Sequence, residues 1–426
     1  MNKIGLNRDD LKLRNRSYVL NSILDYGAIC RRDIAKVTGL TSATVSNLTS
    51  ELIACRIVEE IGSAQRENRS RGGPIPVLLS ISSEEPYVIG LNLGLNKIEA
   101  GLVDLRGKLV AERKMQLSSN LSPETLVANV SDLVNDLCRS ERIELSRDIL
   151  GIGFGTAGNF AEDGTVAWHK NSSIVGISVK KLLKEHFGLP VFVGSIGRTM
   201  ALAEAWFGAG RPYQNYLFFL VHEVVDGAIV FNRSVVVGKR HFSSLIGHKP
   251  VSDSGRLCYC GQRGCLDVVA SDDALCAEAE SYAMTDAKIL RHMLQGQSVT
   301  KSSIIEAAAH GDRFCQELLK KQGAYLGEVI AEMINLIDVE AVIVAINLEA
   351  PESDMELNTL TSTYTKSLNI PHRAPDIVFS KMKRDLFIIG PATLVIRRVF
   401  SPELRISLDH NNKPKASLNT DQLMLS

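Results

Sequence analysis

The sequence predicts an α/β protein in two parts: a winged helix-turn-helix over residues 1–82, then a larger two-lobed body. Three observations carry this. Three short helical patterns separated by tight turns are followed by two strand patterns within the first eighty residues. From Tyr87 onward strands alternate with helices, and the same order restarts at Tyr216, which is the grammar of an α/β fold written twice. The 426 residues exceed one ordinary hydrophobic core and point to about two or three domains.

In the N-terminal part, Tyr18, Val19, Ile23 and Leu24 share one face of a first helix, which the Tyr26-Gly27 step ends. A second helix, Arg32 to Val37, sets Ile34, Ala35 and Val37 on its apolar face. It stops at Gly39, because glycine accepts the left-handed conformation of a helix end. A third starts with Thr41 or Ser42 as N-cap and runs to about Ile57, with Val45, Leu48, Leu52 and Ile53 inward. Its other face is Ser42, Thr44, Ser46, Asn47 and Glu51. A helix, a glycine turn and a helix with a small polar N-terminus form a helix-turn-helix. The second of the pair must enter the major groove end first, where small side chains reach base edges. Ser42, Thr44, Ser46 and Asn47 are therefore the candidates for base or phosphate contact, and Arg32 for a backbone phosphate. Strand patterns at 58–61 and 77–81 bracket a turn-rich basic loop, which makes a wing. Its Arg66, Arg69 and Arg71 are candidates for phosphate or minor-groove contact. Residues 1–80 carry 12 Lys and Arg against 8 Asp and Glu, and the remainder 36 against 40. A mildly basic end on a mildly acidic body suits nucleic-acid contact at that end.

The body opens with strand patterns at 87–94, 99–104 and 108–112, turning at Arg106-Gly107. A helix at 123–139, a strand at 150–154, a helix at 179–187, a strand at 191–193 and a helix at 199–207 follow. The second set has strands at 216–221 and 227–231, helices at 302–310 and 312–337, and a strand at 341–344. Two such sets make two lobes with a cleft between them.

Gly247-His248 and the run Cys258-Tyr259-Cys260-Gly261-Gln262-Arg263-Gly264-Cys265 gather one histidine and three cysteines. Thiolate and imidazole are the ligands zinc prefers, and four of them close a tetrahedral shell with no open position, so one structural Zn²⁺ per chain is expected. Gly261 and Gly264 supply the tight turns of a cysteine knuckle, and a disulfide within the Cys-x-Cys pair is strained. The other five cysteines, Cys30, Cys55, Cys138, Cys276 and Cys315, are scattered and read as small core residues. Hydrophobic residues make up 45% and charged residues 23%, which fits a soluble globular protein. No apolar run approaches the roughly 20 residues of a membrane span, and no signal-peptide pattern opens the chain. The expectation is a cytoplasmic protein without membrane insertion.

Together these residues resemble the ROK family, whose name joins repressors and sugar kinases. The resemblance rests on His248 with Cys258, Cys260 and Cys265, and on Phe207-Gly208-Ala209-Gly210 after the 201–206 helix, and extends to about residue 400. It implies an actin/hexokinase-like body: a first lobe at 85–195 to which 386–402 returns and a second lobe at 196–385 carrying the knuckle; the polar, pattern-poor composition of 403–426 reads as a flexible tail. The attached winged module places the chain with the family's transcription factors. That branch includes repressors of sugar-uptake genes released by a sugar or a sugar phosphate.

Family kinases hold ATP with an Asp-x-Gly-Gly-Thr turn, where glycines let the backbone approach phosphate and the carboxylate organises metal. Here that turn is Asn92-Leu93-Gly94-Leu95-Asn96. The second, Gly-rich turn is replaced by His222-Glu223-Val224-Val225-Asp226-Gly227, and a late Gly-Gly by Ala345-Ile346. The Asn-Asp pair that holds the sugar and removes its proton falls on Ser195 and Ile196, and isoleucine is no general base. The chain is therefore read as a non-enzyme. The family's sugar-binding Glu-x-Gly-His becomes Leu245-Ile246-Gly247-His248, and a glutamate after the knuckle becomes Asp267. Asn171 matches a sugar-contacting asparagine. Asn171, Ser195, His248 and Asp267 are thus the candidate effector residues. Losing hydroxyl partners worth about 1 kcal/mol each sets the expectation that an ordinary hexose is not the effector; a less hydroxylated or acidic ligand, or a cleft serving only as scaffold, takes its place.

The function expected is a DNA-binding transcriptional regulator, a repressor of carbohydrate uptake or metabolism genes, acting as a homodimer or homotetramer on a palindromic operator in double-stranded DNA and controlled by a small-molecule effector such as a sugar derivative. The alternatives are control by a protein partner and a divergent sugar kinase.

Overall fold

The computed structural model describes residues 8–63, 76–117, 121–170, 172–253, 256–282, 287–408 and 414–418. The N-terminal module has helices Arg8–Tyr26, Arg31–Thr38 and Ser42–Ala54 and strands Ile29–Cys30, Val58–Ser63 and Val77–Ile81. The Val77–Ile81 strand lies between the other two in an antiparallel sheet. Gly39 closes the second helix at φ 70°, and the Thr41 side chain accepts from Thr44 N to cap the third. Val19, Leu20, Ile23, Ile34, Val45, Leu52 and Leu79 are fully buried and form the module's core. Two faces differ from the sequence reading: Tyr18 and Val37 point outward, 56% and 46% exposed. The third helix also stops at Ala54 rather than near Ile57, because Arg56 turns the chain left-handed at φ 61°.

Two five-stranded sheets build the body with one topology repeated. In the first, Tyr87–Leu93, Lys97–Val103 and Leu109–Gln116 run antiparallel in succession, while Ile149–Thr156 and then Val191–Ser195 add in parallel on the other side. In the second, Tyr216–Val221, Val225–Phe231 and Ser234–Val235 are the antiparallel part, and Ala341–Ile346 and Asp376–Phe379 the parallel additions. Helix Leu386–Val399 crosses from the second set to lie on the first sheet, beside helix Ile196–Phe207. It fits only because the sheet is smooth there: a Cβ at Gly90 or Gly153 would overlap the Ile388 or Pro391 carbonyl. Up to Ile396 that helix is apolar on every face apart from Thr393, as suits a helix buried on every side.

The segment after residue 403, expected to be a flexible tail, instead carries an antiparallel hairpin of Leu404–Leu408 and Pro414–Leu418. Leu404 and Leu418 sit opposite each other and are 1% and 6% exposed, so burial of alternate apolar residues anchors what composition alone reads as loop. The hairpin's base also holds the N-terminal module. Arg16 donates to the Leu404 carbonyl at 3.0 Å, Ser17 to the Phe400 carbonyl at 2.6 Å and Asn21 to the same carbonyl at 2.9 Å.

A second strut joins the module to the first lobe. Arg56 donates to Asp148 at 2.8 Å, Arg147 donates to it at 2.7 and 2.8 Å, and Arg106 binds both Glu59 and the Ile81 carbonyl. Burial alone would raise the Asp148 carboxyl, but the Arg147 and Arg56 guanidinium groups outweigh it and hold it at about 2. A carboxyl depressed in the folded state stabilises above its unfolded pKa and loses that contribution as pH falls through the folded value. Asp148→Asn is expected to cost about 1–2 kcal/mol at neutral pH and to cost progressively less from pH ~4 down to ~2, read by denaturant melts across that window.

Candidate functional site: metal knuckle, cleft and DNA face

His248, Cys258, Cys260 and Cys265 come together, their ligand atoms all within 4.8 Å of one another. His248 Nδ1 lies 3.3 Å from the Cys258 sulfur, and the sulfurs of Cys260 and Cys265 are 3.6 Å apart. Ligands about 2.0–2.3 Å from a central ion fit such spacings. Burial lowers the His248 pKa to about 4, which leaves its imidazole unprotonated and able to bind a metal. Gly261 and Gly264 hold φ of +91° and +66°, and a Cβ at Gly264 would overlap the Ser252 carbonyl. The four residues could hold a metal ion.

The knuckle is also one wall of a small open pocket lined by Asn159, Trp168, Asp226, Leu245, His248 and Tyr259 among others. Trp168, on the small strand Val166–His169, stacks on Tyr259 at 4.8 Å and meets the His248 ring edge-on at 4.7 Å. Tyr259 stands between Cys258 and Cys260, so the knuckle itself contributes an aromatic ring to the pocket wall. Sequence reasoning missed Trp168, Tyr259 and Asp226. One signal was available, since Trp168 is one of two tryptophans in the chain.

Of the four candidate effector residues, only His248 lines this pocket among those described. Asp267 turns its carboxylate to Val225 N at 2.6 Å, and burial pushes it up to about 6. Ser195 ends its strand and caps helix Ile196–Phe207 without a side-chain cap bond. Asn171 lies outside the described residues. Asp226, from the turn that replaces the kinases' glycines, accepts from Gly197 N at 2.9 Å and Gly227 N at 2.7 Å. A carboxylate thus stands one residue from Ile196, held by a helix's first turn, and burial raises its pKa above the ordinary carboxylate range.

On the other side of the cleft, side chains cross between the lobes. Lys97 pairs with Glu349 at 3.2 Å, Arg384 with Glu99 at 3.0 Å and Glu349 at 3.1 Å, and Glu223 accepts from Leu95 N at 3.3 Å. Asn92 is tied to Glu99 at 3.1 Å. Ion pairs and apolar side chains therefore border the turn Asn92-Leu93-Gly94-Leu95-Asn96.

In the winged module, Ser42, Ser46 and Asn47 are exposed on the third helix, and Arg32 is exposed beside them at the start of the second. Thr44 is half-buried, its hydroxyl 2.9 Å from that of Thr41 in the cap. Neighbouring Arg31 is spent on Thr49 and Glu60. Arg66, Arg69 and Arg71 lie outside the described residues. No helix among the described residues is long and apolar enough to cross a membrane.

A winged helix-turn-helix ahead of a duplicated two-lobed α/β body defines the class of a DNA-binding regulator. Comparison with known proteins is consistent with that class. The ROK family model matches residues 88–398. The xylose repressor of Caldicellulosiruptor bescii is 28% identical over 394 residues, covering 92% of this chain and 97% of that protein. The DNA-binding transcriptional dual regulator NagC of Escherichia coli is 27% identical over 347 residues, covering 80% and 82%. Among solved structures, a ROK family transcriptional regulator homologous to the E. coli MLC protein superposes with a TM-score of 0.73 at 22% identity, covering 92% of this chain and 98% of its own. A ROK glucokinase from Streptomyces griseus with glucose and AMPPNP superposes at 0.65 and 24% identity, covering 72% of this chain and 98% of its own. The chain belongs to the ROK family.

Proposed function

We propose that the chain is a sugar-responsive transcriptional repressor of carbohydrate uptake or metabolism genes, without phosphoryl-transfer activity. It binds a palindromic operator as a homodimer or dimer of dimers. Ser42, Thr44, Ser46 and Asn47 meet the major groove, Arg32 a phosphate, and Arg66, Arg69 and Arg71 the flanking backbone or minor groove. The observation that carries the reading is the combination in one chain of an exposed polar recognition helix, a pocket on the sugar side of the cleft and Ile196 at the general-base position.

His248, Cys258, Cys260 and Cys265 would hold a zinc ion, which would supply a closed structural cross-link. Around it, the chain's own residues do the work. His248 and Tyr259 hold the pocket wall, Trp168 from the other lobe stacks on Tyr259, and Asp226 and Asn159 offer polar groups for hydroxyls. Stacking an aromatic face on a sugar's C–H face and pairing its hydroxyls is ordinary carbohydrate recognition chemistry. A ligand in the pocket that Trp168 and the knuckle line shifts one lobe on the other. Helix Leu386–Val399 leads from the lobe interface directly to Phe400 and Leu404, which the first helix of the winged module grips. That is a physical coupling between two sites.

Ile196→Asp is not expected to restore sugar-dependent ATP hydrolysis, because the Lys97–Glu349 and Arg384–Glu99 pairs still occupy the phosphate side; a coupled ATPase assay at saturating glucose or xylose checks this. The function itself is tested by mapping the protein's sites on its own genome. Discrete palindromic sites beside carbohydrate genes are expected. Diffuse binding by folded, zinc-loaded protein at moderate salt would contradict it.

A further inference from the structure

Residues 236–245 join strand Ser234–Val235 to the turn Ile246–His248. The loop ends at the pocket: Leu245 lines it and is 38% exposed, so it stands at the mouth. Further out, Lys239, Arg240 and Phe242 are exposed. The backbone between them has an unusual shape. His241 and Ser244 lie at φ 59° and 64°, in the left-handed region that residues other than glycine rarely occupy. Such a shape persists only where the surroundings impose it.

Arg198 supplies that constraint. It stands in the first turn of helix Ile196–Phe207 and is only 5% exposed. Its Nη2 donates to the His241 carbonyl at 2.9 Å, to the Ser243 carbonyl at 3.0 Å and to Ser243 Oγ at 3.3 Å. Ser243 Oγ in turn donates to the Val236 carbonyl at 2.6 Å, which closes the loop on its own start. A buried arginine is ordinarily paired with a carboxylate. Here the hydrogen bonds go to loop oxygens, and the opposite charge that acts on the guanidinium is Asp226. Asp226 lines the same pocket, and Gly197, next to Arg198, donates to it at 2.9 Å. One turn of helix therefore joins a pocket carboxylate to the loop at the pocket's mouth.

Resting on the sugar-effector reading for its ligand, we propose that residues 238–245 form a lid over the pocket and that Arg198 is its positioning residue, carrying the occupancy of Asp226 to Leu245. A ligand hydroxyl that donates to Asp226 offsets the carboxylate's charge and relaxes its pull on Arg198. The guanidinium then turns more fully to the His241 and Ser243 carbonyls, and Leu245 closes on the ligand.

The test is limited trypsin digestion of the full-length, zinc-loaded protein, with cleavage after Lys239 and Arg240 followed by mass spectrometry. Lid opening exposes both bonds, and cleavage tracks the open population. Arg198→Gln is expected to be cut there about tenfold faster, the effect of losing one charge-assisted hydrogen bond. Arg198→Lys, which keeps a charged donor, is expected to stay near the wild-type rate. Ser243→Ala breaks the same tie without touching the helix and is expected to be cut faster as well, so the test stands even if Arg198→Gln does not fold. Whichever of D-xylose and D-glucose raises the melting temperature is expected, at about ten times its Kd, to slow wild-type cleavage at these bonds about tenfold, and to protect Arg198→Gln far less. Wild-type rates at both bonds in Arg198→Gln and Ser243→Ala, faster cleavage spread evenly over all tryptic sites, or a sugar that binds without protecting the two bonds overturns the lid. Faster cleavage confined to these bonds with no binding of either sugar upholds Arg198 as the lid's support and overturns its sugar ligand.

Discussion

Replacing Cys265 with serine is expected to strip the metal from the chain and lower its melting temperature by about 10 °C. Cys265 is fully buried within the His248, Cys258 and Cys260 cluster, and it begins the short helix Leu266–Ala270 beneath the pocket. Losing a structural metal belongs to the short list of changes that cost about 4 kcal/mol or more, and chains of this size shift by about 2–4 °C per kcal/mol. The effect reaches the cleft, because Tyr259 and His248 are pocket wall and depend on the knuckle for position. Sugar affinity therefore falls with metal content. Cys276→Ser, outside the cluster, is expected to keep one metal per chain by elemental analysis. A Cys265→Ser protein that keeps its metal and its melting point contradicts the four-ligand assignment.

The second large effect is on DNA. Exchanging Ser46 and Asn47 together for alanine is expected to weaken operator binding about 100-fold or more. A bidentate base contact is worth about 1–3 kcal/mol, and a symmetric dimer loses it in both half-sites. Both side chains are exposed, so the fold and the melting temperature stay as they were. Binding to random DNA changes little, because that affinity comes from phosphates. Arg32→Ala gives the opposite pattern: a similar loss on every sequence, with the salt slope reduced by about one per half-site. Both are read by fluorescence anisotropy over a salt series. Equal losses of the Ser46/Asn47 variant on operator and random duplex would remove this helix from base readout.

What the sequence made legible was whatever it wrote locally. The four candidate metal ligands lie within one short span, so their chemistry could be read before any fold was known. The helices of the winged module were equally readable, because caps, the glycine turn and helical periodicity are short-range signals; outward-facing Tyr18 and Val37 and the earlier end of the third helix at Ala54 departed from the pattern. The lobes followed from strand and helix order repeated twice. What stayed hidden was assembled from distant segments. Trp168 meets Tyr259 only after both lobes fold, and Asp226 reads as part of a broken phosphate turn until helix Ile196–Phe207 is set over it. Lys97, Glu349 and Arg384 come from three separate segments, so their ion pairs across the cleft have no sequence signature. Helix Leu386–Val399 lacks amphipathic periodicity because every face is covered. The last hairpin did carry a signal in the alternation of Leu404, Ile406 and Leu408, but polar neighbours masked it.

The central claim is that sugar occupancy of the cleft controls DNA binding with no phosphoryl transfer. The most direct test is anisotropy of a fluorescent operator with the full-length protein, titrated with free sugars in the absence of any nucleotide. The account predicts release by at least one such sugar without ATP, and loss of that response in Asp226→Ala while operator affinity is kept. Release that requires ATP, or operator binding that no sugar alters, would contradict it.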